Sequence, residues 1–257
     1  MQRVQKGTIS GSVFADERLS TSEDYKTSRM PPIGQKVEFD DGRGFVFVSS
    51  TIALLAGNVV ASATALATSI DNLIAATEPI GEKEIVMTTA GVTFFGGTIG
   101  VNAADRFAEG YLVTTDDAGE GYMYRIKGNT VSTAATTTTF TLYDGLKVAL
   151  TTSSDVFILG PKYRKVVQGT ATLSPVAIAT VPCTGTSEYF FWAQYKGVAP
   201  VTIQTGTSLA IGVPAVASSS GGVKIAAAAA SDVPVGICMA TSTTATATIP
   251  IDLRIGG

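Results

Sequence analysis

Short β-branched and aromatic runs, separated at close intervals by turn-forming residues, constrain this chain more than any other feature of its sequence. Lys36-Val37-Glu38-Phe39 alternates in polarity, Asp40-Asp41-Gly42-Arg43-Gly44 supplies a turn, and Phe45-Val46-Phe47-Val48 follows, which together predict a hairpin. The same grammar returns at Glu84-Ile85-Val86-Met87-Thr88, Tyr111 to Thr115, Tyr122 to Ile126, Thr139 to Tyr143 and Val156 to Leu159. Asp116-Asp117-Ala118-Gly119, Lys127-Gly128-Asn129 and Asp144-Gly145 punctuate it. Strands this short and this closely spaced are joined by tight turns, so the sheet they build is antiparallel.

A second β block follows a connector, 161–169, that carries the basic cluster Lys162-Tyr163-Arg164-Lys165. Its strand candidates are Tyr189 to Tyr195, Val201 to Ile203, Val213 to Val216, Val223 to Ile225, Val235 to Met239 and Thr246 to Ile255. Residues 1–35 differ from both blocks. They are polar and mixed in charge, with neither period 2 nor period 3.6, and a segment of that kind buries too little apolar surface to offset its ordering entropy. The expected architecture is therefore all-β, with two antiparallel barrel- or sandwich-like domains at 36–165 and 166–257, preceded by an extended N-terminal arm at 1–35. Within the arm, Val4, Ile9, Val13, Phe14 and Leu19 are the apolar residues able to anchor it on a partner. Three segments, Leu55 to Val60, Phe107 to Leu112 and Leu209 to Pro214, also share a glycine set between apolar residues, a device for turning the chain at the start of a strand.

Composition removes whole classes of chemistry. The chain has no histidine, which excludes Ser-His-Asp and Cys-His nucleophile systems, His-containing zinc sites and imidazole bases. A net charge of -3, from 18 basic and 21 acidic residues, offers no footprint for a nucleic-acid backbone. The N-terminal residues lack the apolar core of a secretory signal. Residues 52–70 form an uncharged stretch near membrane-spanning length, but Gly57-Asn58 interrupts it and no Lys or Arg flanks it closely. A strand ending at Leu55, a turn at 56–58 and a short strand through Val59-Val60, followed by an Ala/Thr-rich segment, fits better. Cys183 and Cys238 lie in apolar stretches, as buried free thiols or as a pair.

The remaining candidates for chemistry are weak ones. Asp40-Asp41 and Asp116-Asp117 with Glu120 lack the alternating spacing that aims carboxylates at one cation, and their Asp-then-Gly order is that of turns. Gly96-Gly97-Thr98-Ile99-Gly100 lacks the Lys-Ser/Thr ending of a phosphate-cradling loop. No serine sits in a G-x-S-x-G or S-x-x-K setting, so no enzyme activity, metal or cofactor is expected. Tyr189-Phe190-Phe191-Trp192-Ala193-Gln194-Tyr195 is the one aromatic concentration. As a strand it places Tyr189, Phe191 and Tyr195 on one face and Phe190, Trp192 and Gln194 on the other, so both faces need cover, from a core or from an oligomer interface.

Two sets of strings resemble the head decoration or cement proteins of tailed bacteriophages, which carry β-tulip or β-tandem-like domains. One is Phe107 to Thr114, Gly119 to Lys127 and Ala149 to Val156; the other is Tyr189 to Gln194, Leu209 to Gly212 and Val235 to Met239 before an apolar terminal strand. The resemblance spans about 100–257 and implies a virion structural protein without catalytic residues. It further implies binding to the outer surface of the major capsid protein lattice, as a homotrimer made in the host cytoplasm, with no nucleic-acid or membrane partner. A tail, baseplate or fibre component and a soluble carbohydrate-binding β module are the alternatives.

Overall fold

The structure, a computed structural model, describes residues 19–20, 31, 33–62, 72–88, 104–131, 137–171, 173, 175–184, 189–226, 232–242 and 248–255. All regular structure among them is β, as expected. In chain order the strands are β1 (Leu19–Ser20), β2 (Lys36–Glu38), β3 (Gly44–Ser50), β4 (Ala53–Leu54), β5 (Val59–Ala61), β6 (Asn72–Leu73), β7 (Glu84–Thr88), β8 (Tyr111–Asp116), β9 (Met123–Asn129) and β10 (Thr137–Leu142). They continue as β11 (Asp155–Leu159), β12 (Val167–Gln168), β13 (Pro175–Ala179), β14 (Cys183–Thr184), β15 (Tyr189–Thr202), β16 (Pro214–Ala217), β17 (Val223–Ile225), β18 (Pro234–Cys238) and β19 (Thr248–Arg254). The stretch 52–70 holds β4 and β5, not one continuous span. No helix among the described residues is long and apolar enough to cross a membrane.

The chain forms two compact units, and they are nested rather than consecutive. Thr64–Lys162 makes one unit, and Met1–Ala63 joins Tyr163–Gly257 to make the other. The linear division at 165/166 is thus replaced by an insertion, because β3 pairs along its length with β15, from Tyr189 opposite Ser50 to Lys196 opposite Gly44. The ends of the insertion meet: Ala61 in β5 stands opposite Val167 in β12.

In the inserted unit the sheet order is β6-β11-β8-β9-β10-β7. A bridge between Ile74 and Met87 joins the two end strands, so the ladder closes on itself. β7 to β11 alternate buried and accessible residues, the mark of a sheet covered on one face. Inside lie Ile85, Met87, Phe107, Leu112, Ile126, Phe140, Leu142 and Ile158, with Phe107 and Phe140 ring centroids 5.6 Å apart.

The discontinuous unit has an eleven-stranded sheet with the path β12-β5-β13-β15-β19-β18-β16-β17; β3 and β1 also pair with β15, and β2 pairs with β3. Its central strands do not alternate. β3 and β13 are buried at every position, as strands covered on both faces must be. The predicted break after Tyr195 is absent: β15 runs on through Gly197 and Pro200 with a bulge between Gln194 and Lys196. Pro200 is tolerated because it faces Pro250 where the backbone groups point away from this ladder, the Pro250 carbonyl turning instead to the Met239 N–H on the β18 side, so no N–H is needed between the two prolines. β18 ends at Cys238 for a related reason, since the Met239 N–H reaches the Pro250 carbonyl at 3.0 Å but proline cannot answer it.

Two sequence expectations are corrected at the margins of this unit. Residues 33–35 belong to the core and not to an arm: Ile33 is buried among Phe45, Phe47, Phe190 and Trp192, and the Gly34 and Phe47 N–H groups bond Phe47 O and Gln35 O. The connector is likewise tied down. The Ser49 N–H donates to Tyr163 O at 3.0 Å, the Val166 N–H donates to Ser49 O at 2.7 Å, and the Ser50 hydroxyl donates to Val166 O.

Candidate functional site

The carboxylate pairs take part in turns. The Asp41 carboxylate accepts from the Arg43 N–H at 3.0 Å and from its Nε at 2.6 Å, which holds it below the usual carboxylate range. Asp116 accepts the Asp117 N–H at 2.8 Å, and Asp117 itself takes a left-handed φ of 60°. Among the described residues no three His, Cys, Asp or Glu side chains are grouped to hold a metal ion. Cys238 is a buried free thiol whose pKa burial pushes up, which disfavours the reactive thiolate, and Cys183 stands opposite Leu54 where β14 meets β4. The glycine-rich string at 96–100 lies outside the described residues.

The aromatic run is core on both faces. Phe191 and Tyr195 pack with Val46, Val48, Leu54, Val60 and Val176, and Tyr189 packs partly buried beside them. On the other face Phe190 and Trp192 pack with Ile33, Val37, Phe45 and Phe47, the Phe47 and Trp192 rings 5.2 Å apart. Of the alternatives the sequence left open for these residues, the chain itself supplies the cover. Of the arm residues, Leu19 lies in β1 opposite Phe190, whereas Val4, Ile9, Val13 and Phe14 lie outside the described residues.

Where the run ends, a polar cluster forms. The Tyr195 hydroxyl donates to Glu38 Oε1 at 2.8 Å, Lys196 Nζ donates to the same carboxylate at 3.2 Å, and Lys36 Nζ sits 4.4 Å from the Tyr195 ring centroid. The Tyr195 hydrogen bond, then that of Lys196, lower the Glu38 pKa below its ordinary 4.5, while burial and then Glu38 raise that of the phenol. A carboxyl with a depressed folded-state pKa contributes stability that is fully present above its unfolded value and is lost as pH falls through the folded one. Denaturant midpoints followed by Trp192 fluorescence should accordingly fall as the pH drops below about 4.5, and Glu38→Gln should flatten that fall. An unchanged slope in Glu38→Gln would assign the acid sensitivity to other carboxylates.

Two accessible sheet faces carry apolar side chains, one in each unit. In the discontinuous unit, strand register places Val198, Asp252, Ile237 and Pro214 in one row and Pro200 with Pro250 in the next. Val198 is 49% and Met239 48% exposed, and the prolines at 200, 214 and 250 are exposed as well. In the inserted unit, Phe157, Val113 and Met123 form one row and Leu159, Tyr111 and Arg125 another. Arg125 pairs there with Glu109, which also accepts the Tyr143 hydroxyl at 2.5 Å, and the guanidinium lies 5.0 Å from the Tyr143 ring centroid.

Beside the first face lies a cavity of about 260 Å³ lined by Ala56, Gly57, Ile178, Ala179, Thr180, Gln194, Ala199, Pro200 and Thr248. Gly57 takes φ +84°, and a Cβ there would stand 2.9 Å from Thr202 Oγ1, so only glycine keeps this wall. Gln194 is the polar residue set deepest, 5% exposed. Its Nε2 donates to the Lys196 and Val198 carbonyls, both at 3.0 Å, which fixes the amide orientation and leaves Oε1 as an acceptor without a hydrogen bond. The sequence pointed to Gly57 through the glycine echo, but to no other wall of this cavity, because its lining comes from small residues of four separate segments.

No family model matches the chain, and no match is found among curated proteins or among solved structures.

Proposed function

We infer that this chain is a structural protein of a tailed-phage virion, a decoration protein that binds the major capsid protein lattice from outside and stabilises the head. The observation that carries the reading is the pair of accessible sheet faces, where Pro, Val, Met, Phe and Tyr side chains stand in rows that hold a single charged residue each, Asp252 and Arg125. Faces of this kind suit permanent contact with symmetry mates or a lattice. Charged residues make up only 15% of the chain, which accords with such burial, and the resemblance of the 107–156 and 189–239 strings points the same way. A homotrimer is the assembly proposed.

A carbohydrate-binding module is the competing reading, favoured by exposed Tyr111 and Tyr143 beside the Arg125–Glu109 pair. Stoichiometry separates the two. Cryo-electron microscopy of particles should find the chain over capsomer junctions in hundreds of copies, and light scattering of the purified protein should give a trimer. Density confined to the tail, or a monomer at micromolar concentration that is absent from particles, would overturn the decoration reading.

A further inference from the structure

The apolar rows of the two accessible faces each hold one charge, and the two charges are opposite in sign. On the discontinuous unit it is Asp252, in the row of Val198, Ile237 and Pro214. Its ion pair with Arg254 is loose: Nε stands 3.9 Å from the carboxylate, beyond hydrogen-bond length, on a side chain 69% exposed. On the inserted unit the charge is Arg125, opposite Tyr111 and one row from Phe157, Val113 and Met123. Glu109 bonds this guanidinium through Nη2, and a guanidinium has five N–H donors, so that pair does not exhaust it. One face thus offers an acceptor and the other a donor, each ringed by apolar side chains.

We propose that the two faces are each other's partners between copies of this chain: the discontinuous-unit face of one copy packs on the inserted-unit face of the next, with Asp252 against Arg125. Charge decides between this pairing and its rivals. Either face packed on its own kind across a two-fold axis sets Asp252 beside Asp252, or Arg125 beside Arg125, and a charge buried without its counterpart costs more than the apolar contact around it returns. Opposite faces satisfy both groups at once. The apolar parts match as well, since Tyr, Phe, Met and Arg on the inserted unit are the residues enriched at interface cores, and the prolines at 200, 214 and 250 bring no N–H that burial would strand. A contact between two different surfaces runs head to tail and uses both faces of every copy. It rests on the homotrimer reading, because a head-to-tail contact ends only by closing into a ring.

Light scattering of the full-length protein and its variants tests the pairing. Val198→Asp on one face and Met123→Asp on the other replace side chains 49% and 60% exposed, so both variants should fold, which near-ultraviolet circular dichroism checks, and both should be monomers where the wild type is a trimer. Mixed in equal amounts they should form a dimer, because each keeps the face that the other has lost and the two damaged faces cannot close the ring. Asp252→Arg, which sets like charges against each other, should also be monomeric. Met239→Asp and Tyr111→Asp, on the same two faces, serve if Val198→Asp or Met123→Asp does not fold. A trimer that survives in a folded variant of either face would overturn the pairing and leave the trimer reading standing. A mixture that stays monomeric would overturn it too, since like faces would then have met like. A monomeric wild type would remove the trimer itself, and the pairing with it.

Discussion

Phe47→Ala is expected to destabilise the discontinuous unit by about 3–5 kcal/mol, the usual cost of removing a fully buried ring. Phe47 has no solvent exposure and its ring centroid lies 5.2 Å from that of Trp192 and 6.3 Å from that of Phe190. The chain has one tryptophan, so urea unfolding followed by Trp192 fluorescence reports on this unit alone. Phe140→Ala, an equally buried substitution in the inserted unit, should leave that transition where it is while lowering the total unfolding enthalpy. If both variants shift the Trp192 midpoint equally, the two units unfold as one cooperative block and the nested division has no thermodynamic meaning.

Excision of the inserted unit should leave the other one folded. Ala61 and Val167 are partners across β5 and β12, and paired residues of an antiparallel ladder lie about 5 Å apart, so a few Gly and Ser residues in place of 64–162 close the gap without strain. The shortened chain should keep the near-ultraviolet circular dichroism of Trp192 and a single cooperative melt. An aggregated or molten product would show that residues 64–162 supply more to the remaining sheet than a connection.

Local patterning revealed most of the strands, because alternation and turn residues are written in neighbouring positions. β7 and β17 match their predicted bounds, and β8, β9, β11 and β18 begin or end within a residue of theirs. β13 escaped notice because Pro175-Val176-Ala177-Ile178-Ala179 is buried at every position, so no polar residue marks a face. The unbroken course of β15 was hidden by Gly197 and Pro200, local stop signals that the continuous pairing with β19 overrides. Nesting was not legible at all, since the β3–β15 pairing is long-range and its specificity resides in two buried faces rather than in any motif. For the same reason the aromatic run left core and interface open until its partners Val46, Val48, Phe45 and Phe47 were placed.

The interrupted connectivity also sets an order of events during synthesis. β3 leaves the ribosome long before β15, the strand that must pair with it, and the inserted barrel is complete in between. At ordinary translation speeds the delay is on the order of ten seconds, ample for a closed barrel whose strand pairs all lie within the insert to finish folding. During that interval Phe45-Val46-Phe47-Val48 has an open edge where β15 is to pair, the kind of hydrophobic segment that seeds aggregation between nascent chains. The wait is shorter in the excised chain, where β15 follows β3 without the insert, so polysomes making the whole chain should yield more insoluble product than those making the excised one.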